Sequence, residues 1–246
     1  MGRPDGATIG DHQTAARDVA ARMAEAYDAA ERGDYPAALA IWGPLAQSGV
    51  ARAQNNVGAC FAEGLGVARD PELALRWLTL AAEAGDPVAR RNLAALYFKG
   101  EGVAQDHTRA AELYRAAAKV GDAPAQDTLS WMLLEGETAP FDASEARRWA
   151  LAAAEQGVAP AMTRLGMIYH NALGVDRDPA TAATWWAKAA ARGDARRPSH
   201  VGSRPPPWRG RAARRRCRAR LVAPLKRLRQ RARRSVSEQC PQCIDG

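Results

Sequence analysis

Cys240 and Cys243 stand three positions apart in Cys240-Pro241-Gln242-Cys243, a spacing at which two thiolates can share a metal ion or form a redox pair. Zinc needs four ligands, usually two such pairs, and the remaining cysteines, Cys60 and Cys217, do not form a second one. His200 is the only histidine near them in sequence. Nucleophilic catalysis needs a nucleophile, a base and an orienting acid within reach of one another. His12, His107 and His170 fall at unrelated places along the chain, and no such set recurs with them. The loops Gly64-Leu65-Gly66 and Gly100-Glu101-Gly102 lack the G-x-x-x-x-G-K setting of a phosphate cradle. The residues point to no catalytic group, no metal, no cofactor and no small-molecule substrate.

What the chain has in abundance is repetition. Gly49, Gly85, Gly121, Gly157 and Gly193 are spaced 36 residues apart, and Ala53, Ala89, Ala125 and Ala161 each follow four residues on. The same step recurs at Val57, Leu93, Leu129 and Leu165, and at Gly64, Gly100, Gly136 and Ala172. It recurs again at Asp70, Asp106, Asp142 and Asp178, at Ala74, Ala110, Ala146 and Ala182, and at Trp77, Leu113, Trp149 and Trp185. A period of this length marks an array of supersecondary units that bury their faces against one another.

Spacing within one unit gives its structure. Ala53, Val57, Gly58 and Phe61 lie on one helical face, and Ala74, Trp77, Leu78, Ala81 and Ala82 on another. Asp70-Pro71 and Asp178-Pro179 place an N-cap before a proline suited to the first helical position. Each unit is therefore a helix hairpin whose loop glycines end the first helix. The aspartate column is a capping column, His107 stands where other units have proline and is expected as an exposed first-turn residue, and Cys60 is expected as a small buried hydrophobe. Trp77, Trp149 and Trp185 are expected in the core between hairpins.

These columns resemble the Sel-one-like repeat, a relative of the tetratricopeptide repeat; residues 49–82 follow its pattern almost position for position. The resemblance covers about 49–193, and unit three departs from it with Thr138 in place of the second loop glycine. It implies an all-α fold, an α/α superhelical solenoid of stacked helix hairpins with a concave wall. The expected divisions are a disordered segment 1–12, a tetratricopeptide-like capping hairpin 13–48 with its first helix around 14–31, and repeats 49–84, 85–120, 121–156 and 157–192. The resemblance further implies an adaptor that binds other proteins or peptides, as in bacterial signalling, envelope or secretion systems.

Beyond residue 193 the pattern stops. Residues 1–195 carry 19 Lys and Arg against 25 Asp and Glu, whereas 196–246 carry 16 against 2. Basicity is therefore confined to an Arg/Pro-rich tail, 193–246, expected to be disordered. Read from the second base of each codon from His200, the same nucleotides permit the columns of a fifth repeat, with leucine at Val201, aspartate at Arg214 and tryptophan at Leu221. The tail is thus expected to be a frame-shifted repeat that leaves Trp185 and Trp186 uncovered. The alternative is a selected nucleic-acid-binding arm; otherwise its arginines would attract RNA or DNA only adventitiously. No stretch reaches the roughly 20 apolar residues of a membrane span, and the opening residues lack a secretory pattern, so a cytoplasmic protein without membrane contact is expected.

Function would then rest on first-helix positions that the repeat leaves free. Asn56, Asn92, Thr128 and Arg164 form one such column, and Ala59, Ala95, Trp131 and Met167 another. Trp131 and Met167 exceed the size that the structural pattern demands, which suggests an apolar anchor for a peptide or helix. The candidate partner-binding residues are Asn56, Asn92, Trp131, Arg164 and Met167; the competing reading is that these columns simply pack against the next first helix.

Overall fold

Aspartates start most of the helices. In the computed structural model, Asp34, Asp70, Asp86, Asp106, Asp122, Asp142 and Asp178 each accept the backbone N–H three residues ahead, at 2.8–3.1 Å. Each such cap contributes about 1 kcal/mol. Asp86 and Asp122 form a second capping column, at the first helices, where Val50 and Val158 stand in the flanking units without a side-chain cap.

The structure describes residues 9–136 and 139–193, all within the unit Met1–Arg197. Residues 1–8, Thr138 and its neighbour, and everything expected of the basic tail lie outside them, including the Cys217, Cys240 and Cys243 thiols. The helices are α1 (Ile9–Glu31), α2 (Tyr35–Gln47), α3 (Ala51–Glu63), α4 (Pro71–Glu83), α5 (Pro87–Lys99), α6 (His107–Lys119), α7 (Ala123–Glu135), α8 (Ala143–Glu155), α9 (Ala159–His170) and α10 (Pro179–Ala191). Among the described residues there is no strand. α1 begins at Ile9, ahead of the residue 14 expected, and runs through Gly10 to Glu31.

Consecutive helices pair as hairpins, α1 with α2 through α9 with α10, and the second helix of each packs on the first helix of the next. The result is an all-α solenoid. Repeat columns convert directly into burial: Ala53, Ala89, Ala125 and Ala161 are 0% exposed, as are Ala74, Ala110, Ala146 and Ala182. A methyl is all that fits where two helix backbones come this close. Trp77 packs against the α1–α3 cluster, Trp149 against the α5–α8 cluster and Trp185 against the α8–α10 cluster, each half-buried.

The loops do more than end a helix. Gly64, Gly100 and Gly136 close α3, α5 and α7 in the left-handed conformation, with φ of 74°, 74° and 66°. The second glycine of the α5–α6 loop, Gly102, presses on the first turn of α4, where a Cβ would collide with the Pro71 carbonyl. That loop is therefore part of the joint between hairpins.

Trp186 differs from expectation. It is half-buried within its own hairpin, its indole lying over Gly166, where any Cβ would meet the ring, and its Nε1–H donating to the Thr163 carbonyl at 3.2 Å. No following unit is needed to cover it, because the glycine makes room for it inside the α9–α10 pair.

Candidate protein-interaction surface

First helices of neighbouring units touch, α3 with α5 and α7 with α9, and the Phe98–Trp131 ring contact joins α5 to α7, making a wall of first helices. Side chains tie the wall together. Asn92 Nδ2 donates to Asn55 Oδ1 at 2.9 Å, and Asn55 Nδ2 donates to Asn56 Oδ1 at 3.1 Å. Asn56 Nδ2 ends this chain of amides buried and without a hydrogen-bond partner. Farther along, Arg164 Nη2 and Nε donate to Asp127 Oδ1 at 2.9 and 3.3 Å, with the two side chains only 11% and 17% exposed. The two capping carboxylates serve here as well: Arg52 reaches Asp86 at 2.6 Å and Arg91 reaches Asp122 at 2.8 Å. Ion pairs this short and partly enclosed exceed ordinary surface pairs in strength.

The apolar column behaves differently. Trp131 is half-buried and meets the Phe98 ring edge-on, with centroids 5.8 Å apart, and Met167 is half-buried on α9. Phe98 in turn lies 5.0 Å from the His107 ring. His107 is therefore not the exposed first-turn residue that its position implied: it is half-buried against Phe98, with Nδ1 enclosed and unpartnered. Phe98, an aromatic side chain on α5, the first helix of the same hairpin, draws it inward.

Asn56 and Asn92 thus belong to one group, joined through Asn55, and Arg164 to a second, joined to Asp127; Trp131 sits on a third, the aromatic group of α5–α7. Asn55, Phe98 and Asp127 were not singled out by the repeat pattern. A signal existed: Asn55 to Asn92 and Asp127 to Arg164 are both separated by 37 residues, one more than the period. The column test aligns equivalent positions and passes over pairs offset by one.

Little of this can carry out acid–base or nucleophilic work. Burial pushes the Cys60 thiol up to about 11, which leaves it protonated and inert at neutral pH. Burial also raises Tyr114, against a smaller opposing effect of the Arg91 charge. On the second helices, desolvation raises Glu145, but hydrogen bonds from Arg115 and Trp149 and the Arg115 and Arg148 charges outweigh it and hold the carboxyl below its ordinary value. The wall offers amide donors and acceptors, a neutralised Arg–Asp pair and, at separate places, the partly exposed side chains of Trp131 and Met167.

A family model described as Sel1 repeat matches residues 51–86, 87–122, 123–158 and 159–194. The chain is similar to the crystal structure of a Sel1 repeat protein from Oxalobacter formigenes, with 31% identity, a TM-score of 0.66, and 71% of each chain covered. It is also similar to c5321, a protective antigen of uropathogenic Escherichia coli displaying an SLR fold, with 29% identity and a TM-score of 0.66 over 77% of this chain and 42% of that longer one. A Sel1 repeat protein from Klebsiella pneumoniae shares the fold, at 22% identity, a TM-score of 0.52, and coverage of 74% and 90%. Comparison with curated proteins found no match. With a 36-residue period, hairpins stacked in series and four matched units, the chain belongs to the Sel1 repeat family.

Proposed function

We propose that this protein is a non-catalytic adaptor that binds a protein or peptide along the concave wall of its first helices, with Asn56 and Asn92 meeting its backbone and Trp131 and Met167 its apolar side chains. The carrying observation is the partly exposed Trp131 and Met167 in a column that holds alanine at Ala59 and Ala95. Other units pack with alanine at this place, and although Trp131 leans on Phe98, part of each larger side chain stays exposed to a partner. Asn56 supports the same reading, since its Nδ2 has no hydrogen bond to give up, although the amide must turn outward from its enclosed position to meet a carbonyl. Arg164 acts through its pair with Asp127, by holding α9 against α7, and is not a free anion anchor. A cytoplasmic location belongs to the same reading; among the described residues, no helix is long and apolar enough to cross a membrane.

The test is selection from a displayed peptide library on the full chain, followed by titration of the recovered peptides. Trp131→Ala with Met167→Ala is expected to weaken binding at least tenfold, about 1.4 kcal/mol, measured at a temperature where the double variant keeps the parent's helical circular dichroism. Peptides that bind the double variant as tightly as the parent, or a library that yields none, would reject the proposal. Salt-sensitive capture of RNA and of no peptide would instead favour a nucleic-acid binder acting through the arginines of 196–246.

A further inference from the structure

We propose that the outer face of α10 is the docking face of a fifth hairpin of the same kind, encoded by codons 197–222 when read from their second base, and that one extra nucleotide lies between codons 193 and 197. The exposed face of α10 and the readings that the genetic code permits for the residues beyond it support this by separate routes.

In α2, α4, α6 and α8, the alanine near the end of the helix is covered by the next hairpin: Ala46, Ala82, Ala118 and Ala154 are 1%, 7%, 1% and 4% exposed. The equivalent in α10, Ala190, is exposed, and so are Ala183 and Ala187 on the same face. The face is thus the continuation of an interface already made four times. The covering helix also brings a donor: the side chains of Gln54, Arg90 and Gln126 donate to the carbonyls of Ala46, Ala82 and Ala118 at 3.1, 3.3 and 3.1 Å. Gly193 prepares the next unit. Its φ of 82° matches the 91°, 93°, 93° and 90° of Gly49, Gly85, Gly121 and Gly157, the glycines that launch α3, α5, α7 and α9.

Read in the alternative frame, the codons supply what this face lacks. Arg197, a CGN codon followed by the C of proline, permits alanine, and Pro198 followed by an AGY serine permits glutamine, the residue of Gln54 and Gln126. Val201 permits leucine and Gly202 permits glycine, each 36 residues beyond Leu165 and Gly166. Trp208 has the single codon TGG, so before any arginine codon it must yield glycine, at the place of the first loop glycine. Gly210 permits the second loop glycine, Arg214 the capping aspartate, Arg218 alanine and Leu221 tryptophan. Register fixes the sign of the change: one gained base keeps all these columns in place, whereas two lost bases would displace each by a residue. Arginine, proline and alanine dominate 196–246 because GC-rich codons read out of frame produce them.

Two measurements test this. The nucleotide sequence across codons 190–225 is expected to run open in the second frame; a stop there, which a GTA codon at Val201 or Val222 would create, overturns the proposal. The gene with one base removed between codons 193 and 197 is then expressed beside the parent, each as its full chain, and each with Ala190→Asp. Restoration is expected to add the far-ultraviolet helical signal of one hairpin and to raise Tm. Ala190→Asp is expected to leave the parent's Tm within about 2 °C but to lower that of the restored chain by about 5 °C or more, since only there is the position buried. No gain in helix, aggregation of the restored chain alone, or an equal effect of Ala190→Asp in both backgrounds would overturn the proposal.

Discussion

At the scale of single residues, one position departs from its column in conformation as well as type. Ala172 occupies the place of Gly64, Gly100 and Gly136 and takes the same left-handed backbone, with φ of 54°. A Cβ there costs roughly 1–2 kcal/mol, partly offset in comparison with glycine by the greater freedom of glycine in the unfolded chain. Ala172→Gly is therefore expected to stabilise the protein by about 0.5–1 kcal/mol, read from the midpoint of urea unfolding. Glu145 gives a pH signature. Its carboxyl titrates lower when folded than its ordinary value of 4.5, so its contribution is complete above that pH and is lost as pH falls through the lower folded value. Glu145→Gln should thus lower Tm at neutral pH and converge on the parent in acid; a gap that stays constant from pH 7 to pH 3 would show that the Arg115 pairing contributes nothing. The alanine and aspartate columns were legible because each does the same job in every unit. His107 and Trp186 were not, since their placement follows from one neighbour each, Phe98 and Gly166, and a single departure leaves no trace in a periodic comparison.

At the scale of elements, the helix starts divide into two kinds. Among the described residues the Asp70 carboxylate serves only as the cap of α4, while Asp122 caps α7 and also holds Arg91 of the preceding first helix, with the carboxylate 6% exposed. Asp70→Ala is expected to cost about 1 kcal/mol and Asp122→Ala about 2–3, because the second also strands a partly enclosed guanidinium. Asp122→Asn should recover the cap while leaving the charge unanswered, and so fall between them; equal losses for Asp70→Ala and Asp122→Ala in chemical denaturation would show that the Arg91 pair is idle. Helix existence and pairing could be read from the 36-residue step together with loop glycines. The links along the wall could not, because Asn55–Asn92 and Asp127–Arg164 join neighbours rather than equivalents. The same offset explains why Arg164 looked like a free contact residue in its column, although its partner stands one position before Thr128.

At the scale of the whole molecule, the excess of positive charge belongs to residues 196–246 and the repeats are net acidic. The full chain is expected to bind a single-stranded RNA oligonucleotide in low salt, with affinity falling by a log–log slope of about −0.7 for each phosphate contacted. Fluorescence anisotropy in rising salt checks this, and the chain restored to the second frame should lose the binding along with the arginines. Salt-independent binding retained in both would place nucleic acid on the repeats themselves. Hairpins joined in series have one more consequence, a mechanical one. Held by its two ends, a chain whose units lean on their sequence neighbours yields one unit at a time, each freeing 36 residues, or about 12 nm of contour. The α10 end, whose outer alanines Ala183, Ala187 and Ala190 are exposed, is expected to yield first, and such a protein behaves as a spring with countable coils.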